Sequence, residues 1–344
     1  MSDSAFTAAR PWCRIDGSLR ADVQTAVLAC TAGGRIGEPA HAEVRLLNWG
    51  GRGGADAGFL FDSLQPGQTL TLGFGDDEVF TGDITAVEER YGGGAPQLVL
   101  LAEDALHRLA RSRHSRSFEA LSPAALLTQL AAAARLQADC NVDAPVATWH
   151  QLNESDLALL CRVLGRYDIE PWLDGTKLVA RRPEAPTGTL ALNAMDSAEL
   201  RLIADLAQQP TAVEVRGYDL ASGSEIRGSA HTLQPPPGAV TAAARLAALG
   251  WPGAEVFPQP AAGSQTDADG LAAAAFGRRA GAWVHGDMRL RGNPKLRRGG
   301  YVELSGVSKR FAGRYRMTGV WQSFDLTEGF RTRLKLERGD WNGS

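Results

Sequence analysis

From Tyr301 the chain reads YVELSGVSKRFAGRYRMTGVWQSFDLTEGFRTRLKLERGD (301–340), three strand-like runs in succession. Within GRYRMTGVWQSFD and EGFRTRLKLER, basic residues alternate with apolar ones, as strands with one wet and one packed face require. These two runs predict a closing hairpin. No catalytic or metal-binding motif lies inside the stretch. Its residues serve folding, so function is sought in surfaces and assembly rather than in a reaction.

Working toward the N-terminus, TLALNA (189–194) and TAVEVRGYD (211–219) also read as β. In the second, Val213, Val215 and Gly217 alternate with Glu214, Arg216 and Tyr218. Between about 221 and 270 the pattern weakens into SGSEIRGSAHTLQPPPGAV and then WPGAEVFPQPAAGSQTDADG. Pro235 to Pro237 cannot join the middle of a sheet ladder. This segment is expected as a long excursion or mobile loop, followed by a helix over Leu271 to Arg279. The closing β unit is expected to begin after Asn293–Pro294.

Residues 10–105 are β-rich. VRLLNW (44–49), LTLGFG (70–75), VFTGDITAVEERY (79–91) and PQLVLLAED (96–104) carry apolar and β-branched residues at strand spacing. Gly50, Gly51, Gly53 and Gly54 mark one exposed loop, and Gly92 to Gly94 mark a hairpin turn. The pattern then turns helical. Ser122 is placed to cap a helix with Pro123 at its first position, and Leu126, Leu127, Leu130, Ala133 and Ala134 carry the helical period. A second helix is expected from Asn153 as cap through ESDLALLCRVLGRY, with Leu157, Leu160, Cys161 and Leu164 on its apolar stripe. IEPWLDGTKLVARR (169–182) reads as a hairpin turning at Asp174–Gly175.

The predicted fold class is mainly β with an α+β insertion. Two small β-barrel-like domains, residues 1–105 and 189–344, flank an α+β domain at 106–188, and the excursion spans about 221–290. The 344 residues suffice for two or three domains, and 44% hydrophobic residues supply their cores. With 36 basic and 39 acidic residues the formal net charge is −3, which gives no general argument for nucleic acid or an anionic membrane. Charge is uneven, however: from Arg289 onward Lys and Arg outnumber Asp and Glu. That bias suits a channel lining, a surface facing an acidic partner, or the solvated side of a sheet.

Cys13, Cys30, Cys140 and Cys161 show no metal-like spacing and are expected as free thiols in a reducing compartment, Cys161 as a core residue. No stretch reads as a signal peptide or approaches the roughly 20 apolar residues of a membrane span. No GxGxxG or GxxxxGK[ST] is present. His41, His107, His114, His150, His231 and His285 form no HxxxH or HExxH. His107 and His114, seven apart, would share a helical face but lack a third ligand. Asp76, Asp77 and Glu78 are adjacent acids. Glycoside hydrolysis needs two carboxyls about 5–10 Å apart across a cleft, so these are read as a solvated turn. Ser305 lies in LSGVS, not in a nucleophile elbow. The eight tryptophans are scattered and are read as core and interface residues. No catalytic, cofactor-binding or metal-ligating residue is assigned, and no enzymatic activity or cofactor is expected.

Four stretches taken together resemble a known family. They are VFTGDITAVE (79–88), WHQLNESDLALLCRVLGRYDIEPWLDGTKL (149–178), VEVRGYD (213–219) and GNPKLRRGGYVELSGVSKRFAGRYRMTGVWQSFDLTEGFRTRLKLER (292–338). Their order and spacing resemble the late control protein D family of contractile-tailed phages and the hub portion of VgrG-type proteins. The resemblance implies a baseplate hub, a homotrimer in which each subunit supplies two β-barrel-like domains. The six domains form a pseudo-six-fold ring matching the inner tube on one side and a three-fold spike on the other. Gly82 and Gly300 become turn or close-packing positions, and Leu157 and Leu160 core anchors. One departure is Trp321–Gln322, where a histidine often stands in the family's last strand pair.

The resemblance also implies partners: further copies of the chain, an inner tube protein, a separate spike protein, and other baseplate or LysM-like tail proteins, with DNA or protein cargo in the lumen. The chain stops at Ser344, without the neck and β-helical spike of VgrG-type chains. A separate spike is therefore expected, in a phage tail, bacteriocin or extracellular injection particle assembled after cytoplasmic synthesis. The alternatives are a tail-tip peptidoglycan hydrolase using Asp76 or Asp77, and a glycan-binding tail adhesin using exposed tryptophans.

Overall fold

The computed structural model describes residues 10–51, 56–142, 144–181, 189–219, 222–251, 253–257 and 262–342. The three runs after Tyr301 are strands Tyr301–Ser305, Gly313–Asp325 and Gly329–Arg338. The last two form the predicted closing hairpin, with Arg316 opposite Glu337 and Asp325 opposite Gly329. Its turn is set by Asp325, whose Oδ1 accepts hydrogen bonds from the amides of Thr327 and Glu328, each at 2.7 Å.

Among the described residues thirteen strands share one sheet. From one end it runs through Ser197–Ala204, Val284–Arg291, Gly329–Arg338, Gly313–Asp325 and Val27–Arg35. It continues through His41–Leu47, Gln97–Glu103, Asp77–Arg90, Thr69–Phe74, Trp12–Ile15 and Ser18–Leu19. Tyr301–Ser305 branches from the start of Gly313–Asp325 and pairs in parallel with Leu190–Asn193. The first half of Gly313–Asp325 therefore pairs with C-terminal strands, while its second half pairs with Val27–Arg35 near the N-terminus.

The closing hairpin also belongs to two cores. Phe324 and Phe330 pack with Val44, Leu70, Phe74 and Leu100 of the N-terminal β unit. Tyr315, Met317, Val320, Leu334 and Leu336 pack with Met288, Val302 and Leu304 of the C-terminal one. The hairpin was expected in the second β unit alone. It serves both because 13-residue and 10-residue strands are long enough to cross from one core to the next.

Close backbone approach makes the junction possible. Gly33 has φ +147°, and a Cβ there would lie 2.1 Å from the carbonyl oxygen of Val320. Gly82 is likewise a packing position, where a Cβ would meet the Glu103 carbonyl at 2.2 Å. The weak hydrophobicity of VLACTAGGR hides this strand, which pairs with both halves of the sheet.

The α+β unit has its own core of Leu126, Leu127, Leu130, Leu160, Val163 and Leu178, among others. Ser122 caps helix Pro123–Ala133 by accepting a hydrogen bond from the Ala125 amide, as predicted. Ala131 rather than Ala133 faces the core, and Ala133 is exposed. The second helix, Asp156–Gly165, is capped by Ser155 and not by Asn153. Asn153 instead lies within strand Ala147–Ser155, at φ +49° beside a bulge in its pairing with Arg113–Leu121. Leu157 and Leu160 are buried as expected. Cys161 is half-buried, its Sγ facing the Gly37 carbonyl at 3.8 Å.

TAVEVRGYD forms strand Ala212–Asp219 outside the large sheet. It lies between Ser224–Ala230 and Ala254–Phe257 in a separate three-stranded sheet, covered by helix Gln265–Ala280. The segment expected as a mobile excursion thus contains two strands of this small layer, together with helix Ala242–Leu249. Only burial against Leu271, Ala272 and Phe276 makes its short, glycine-broken strands legible. The following helix starts six residues earlier than expected, because Ser264 caps it through the Asp267 amide.

Candidate functional site

The loop GNPKLRRGG (292–300) is where the three units meet, and nearly every residue in it has a structural partner. The Phe330 ring occupies the place of a side chain at Gly292, leaving 2.0 Å to a Cβ. The Asn293 amide donates to Thr332 Oγ1 at 2.8 Å, and the Asn293 carbonyl accepts from Gln322 Nε2 at 3.0 Å. Thr332 and Gln322 are both buried and joined to each other at 2.5 Å. Leu296 enters the C-terminal core. Arg297 Nη2 donates to the Glu78 carbonyl at 2.7 Å. Gly299, at φ +79°, lies against the Trp172 ring, and Gly300 packs on Met317.

Arg298 completes the junction. Its Nη2 lies 2.7 Å from Asp104 Oδ2 and 3.4 Å from the Leu173 carbonyl, and its Nη1 donates to the carbonyls of Arg35 and Glu38, each at 3.2 Å. One guanidinium thereby reaches the N-terminal β unit and the α+β unit from a loop of the C-terminal one. Asp104 in turn accepts from the amides of Ala40 and Leu106.

A second knot ties Asp77–Arg90 to the helix that opens the α+β unit, Leu106–Arg111. Asp83 lies 2.8 Å from His107 Nε2 and accepts two 2.8 Å hydrogen bonds from Arg108. Burial pushes the Asp83 carboxyl upward, but the bonds from His107 and Arg108 prevail and hold it below the usual carboxylate range.

A cleft of about 560 Å³ opens between the α+β unit, helix Gln265–Ala280 and the closing hairpin. Its charges are largely matched internally. Arg278 pairs with Asp168 and Arg338 with Asp340, while Arg314 lies opposite Glu303 and Arg316 opposite Glu337 in register. Burial raises the Glu170 carboxyl against the pull of Arg316 and Arg278. This arrangement suits a seam between units more than a substrate site. At the loop end of the N-terminal unit, Trp49, Phe59 and Tyr91 form an exposed aromatic cluster, with successive centroids 5.3 and 6.4 Å apart and rings edge to face.

The residues weighed for chemistry do not converge. Asp76 is exposed on the turn between Thr69–Phe74 and Asp77–Arg90, while Glu78 is exposed within the second strand and accepts from the Thr81 hydroxyl at 2.7 Å. Ser305 donates to the Leu192 carbonyl at 3.2 Å. His107 lies on a helix and His114 on a strand, so they share no helical face. Among the described residues no group of three or more His, Cys, Asp or Glu is placed to hold a metal ion, and no helix is long and apolar enough to cross a membrane. All four cysteines are free. Burial pushes the Cys13 thiol up to about 12 and the Cys161 thiol up to about 11.

Asp83, Asp104, Arg298 and Thr332 were not singled out by sequence reasoning, and Gln322 was named only as a departure from the family pattern; all except Asp104 lie inside the four stretches that carry the family resemblance. The usable signal was the polar residue in an apolar strand run: Gln322 and Thr332 occupy inward positions of alternating strands.

The fold is similar to that of solved phage tail proteins. The 43 kDa tail protein of prophage MuSo2 from Shewanella oneidensis superposes with a TM-score of 0.74 at 11% identity, covering 96% of this chain and 99% of that one. The tail protein from Neisseria meningitidis MC58 gives 0.68 at 12% identity, covering 97% and 98%. The E. coli c3393 protein, a component of the type VI secretion system, gives 0.59 at 11% identity, covering 91% and 73%. No curated protein sequence matches the chain. The family model described as the Alg8 N-terminal domain matches residues 61–325, well over half of the sequence, and the chain belongs to that family.

Proposed function

We propose that the protein is a structural baseplate hub of a contractile tail or injection particle, of the late control protein D kind. It trimerises to join a six-fold inner tube to a three-fold spike and catalyses no reaction. The observation that carries this reading is the closing hairpin, shared between two cores and continuous with Val27–Arg35. It joins two β units through shared packing and strand pairing, which suits a ring of six β units made from three chains. The units of this reading are 1–105, 106–188 and 189–344. The similarity to solved tail proteins and to a type VI secretion system component supports a tail or injection-particle role, and tube, spike and further baseplate proteins are the partners this reading expects. Negative-stain imaging of the purified chain tests it. Rings with three-fold symmetry and a central pore are expected, and a monomer without affinity for tube or spike protein would contradict it.

A second reading, a glycan-binding tail adhesin, draws on the exposed Trp49–Phe59–Tyr91 cluster. Glycan-array binding without ring formation, lost on changing Trp49→Ala, would favour it.

A further inference from the structure

The solvent side of the large sheet carries a grid of cations on adjacent strands. In one row Arg291, Arg331, Ser323 and Thr31 stand side by side on four neighbouring strands. In the next, Arg289 faces Arg333, and Arg333 faces Trp321, with its guanidinium carbon 5.7 Å from the ring centroid. Lys335 follows two residues further along the same strand. Rows lie about 7 Å apart along the strands, and neighbours within a row about 5 Å apart.

Two features set this face apart from an ordinary charged surface. Like charges directly opposite one another in an antiparallel pair are destabilising, yet Arg289–Arg333 and Arg291–Arg331 both occur. The acids beside the grid neutralise one part of it and leave another. Arg289 pairs with Glu328, and Arg333 and Lys335 share Asp287. Glu199 faces Arg289 in register from the edge strand. Among the described residues Arg291 and Arg331 make no ion pair, and their row runs on through the hydroxyls of Ser323 and Thr31 before it reaches Glu43. Arginine forks and hydroxyls in a line, next to an aromatic ring under a guanidinium, are the chemistry that holds phosphodiesters.

We propose that this face, centred on Arg291 and Arg331, binds the phosphate backbone of nucleic acid without sequence preference. Base readout is absent because the cations stand on a flat sheet rather than on an element that enters a groove. Binding by the free chain does not rest on the hub reading.

The test is fluorescence anisotropy of a labelled DNA duplex titrated with the full chain from about 50 to 200 mM salt. Binding should weaken steeply with salt. The double variant Arg291→Gln/Arg331→Gln should bind more weakly and lower the slope of log K against log salt by about 0.9 for each contact removed. Arg216→Gln/Arg227→Gln, on the separate three-stranded sheet, should leave both unchanged, and thermal melting checks that all forms are folded. Failure of the unaltered chain to bind at the lowest salt overturns the proposal, as does an unchanged slope in the Arg291/Arg331 variant. Equal binding of poly-glutamate of matched charge overturns nucleic acid as the partner in favour of an acidic protein. None of these outcomes bears on ring formation, so the hub reading fails or stands separately.

Discussion

The guanidinium of Arg298 lies 2.7 Å from the carboxylate of Asp104, with side chains only 12% and 5% exposed. The two residues are 194 positions apart. Their contact pins the loop 292–300 to the point where the N-terminal β unit passes into the α+β unit. Removing one member of a buried pair leaves the other charged and unsolvated, at a cost of about 3–5 kcal/mol. Arg298→Ala should fall near the lower end of that range, because the amides of Ala40 and Leu106 still hold Asp104. Asp104→Ala should cost more, since it strands the guanidinium and both amides. Urea midpoints of the two variants check the order.

Gly33 is expected to tolerate no side chain. A Cβ there meets the Val320 carbonyl, and φ +147° is itself unfavourable for other residues. Gly33→Ala should lose about 1–3 kcal/mol from strain alone, and more if the pairing between Val27–Arg35 and Gly313–Asp325 opens. Gly58→Ala, where a Cβ meets nothing within 4 Å, should be near neutral. Hydrogen exchange at the paired amides of 319–325 distinguishes local opening from a uniform loss.

Phe74 and Phe330 stack with centroids 3.6 Å apart and planes 9° from parallel, joining the N-terminal core to the closing hairpin. Phe330→Ala should cost about 3–5 kcal/mol. Gly292→Ala, which drives a methyl into the same ring, should also destabilise the fold, through overpacking rather than a cavity. Calorimetric melting of both variants provides the measurement.

Asp83 gives a pH dependence with a defined sign. Its folded pKa lies below the unfolded value near 3.8. The stability it adds is therefore present above that value and is lost as pH falls through the lower folded pKa. Asp83→Asn should be less stable than the unaltered chain near neutrality, and the gap should close as pH falls below 3.8 and through the lower folded pKa. A gap that widened on acidification would contradict the assignment. Paired urea titrations across this range are sufficient.

Cys13 and Cys30 are buried, and burial raises both thiols. Both should resist thiol reagents in the native state, and all four cysteines should titrate in denaturant without reductant. Fewer than four would indicate oxidation.

Where a local rule acts alone, the structure was readable in the sequence. Ser122–Pro123 starts its helix, Gly92 to Gly94 all take positive φ in their turn, and the alternation after Gly313 yields the closing hairpin. Where several elements share the work, the signal was lost. Strand Val27–Arg35 is rich in Ala and Gly because two backbones approach it closely, and the same small residues conceal it as a strand. Asn153 is a good cap in isolation, but a bulge claims it and leaves Ser155 to cap. The Arg298–Asp104 pair depends on a separation that no local pattern encodes. The cation grid was visible only as a charge excess after Arg289, because its meaning lies in register across four strands.

The hub assignment is tested most directly by cryo-electron microscopy of the purified full chain, with mass photometry of the same sample. A three-fold ring at three times the chain mass, with six β units around a central pore, is the expected result. A monodisperse monomer at micromolar concentration that also fails to associate with tube or spike protein would contradict it.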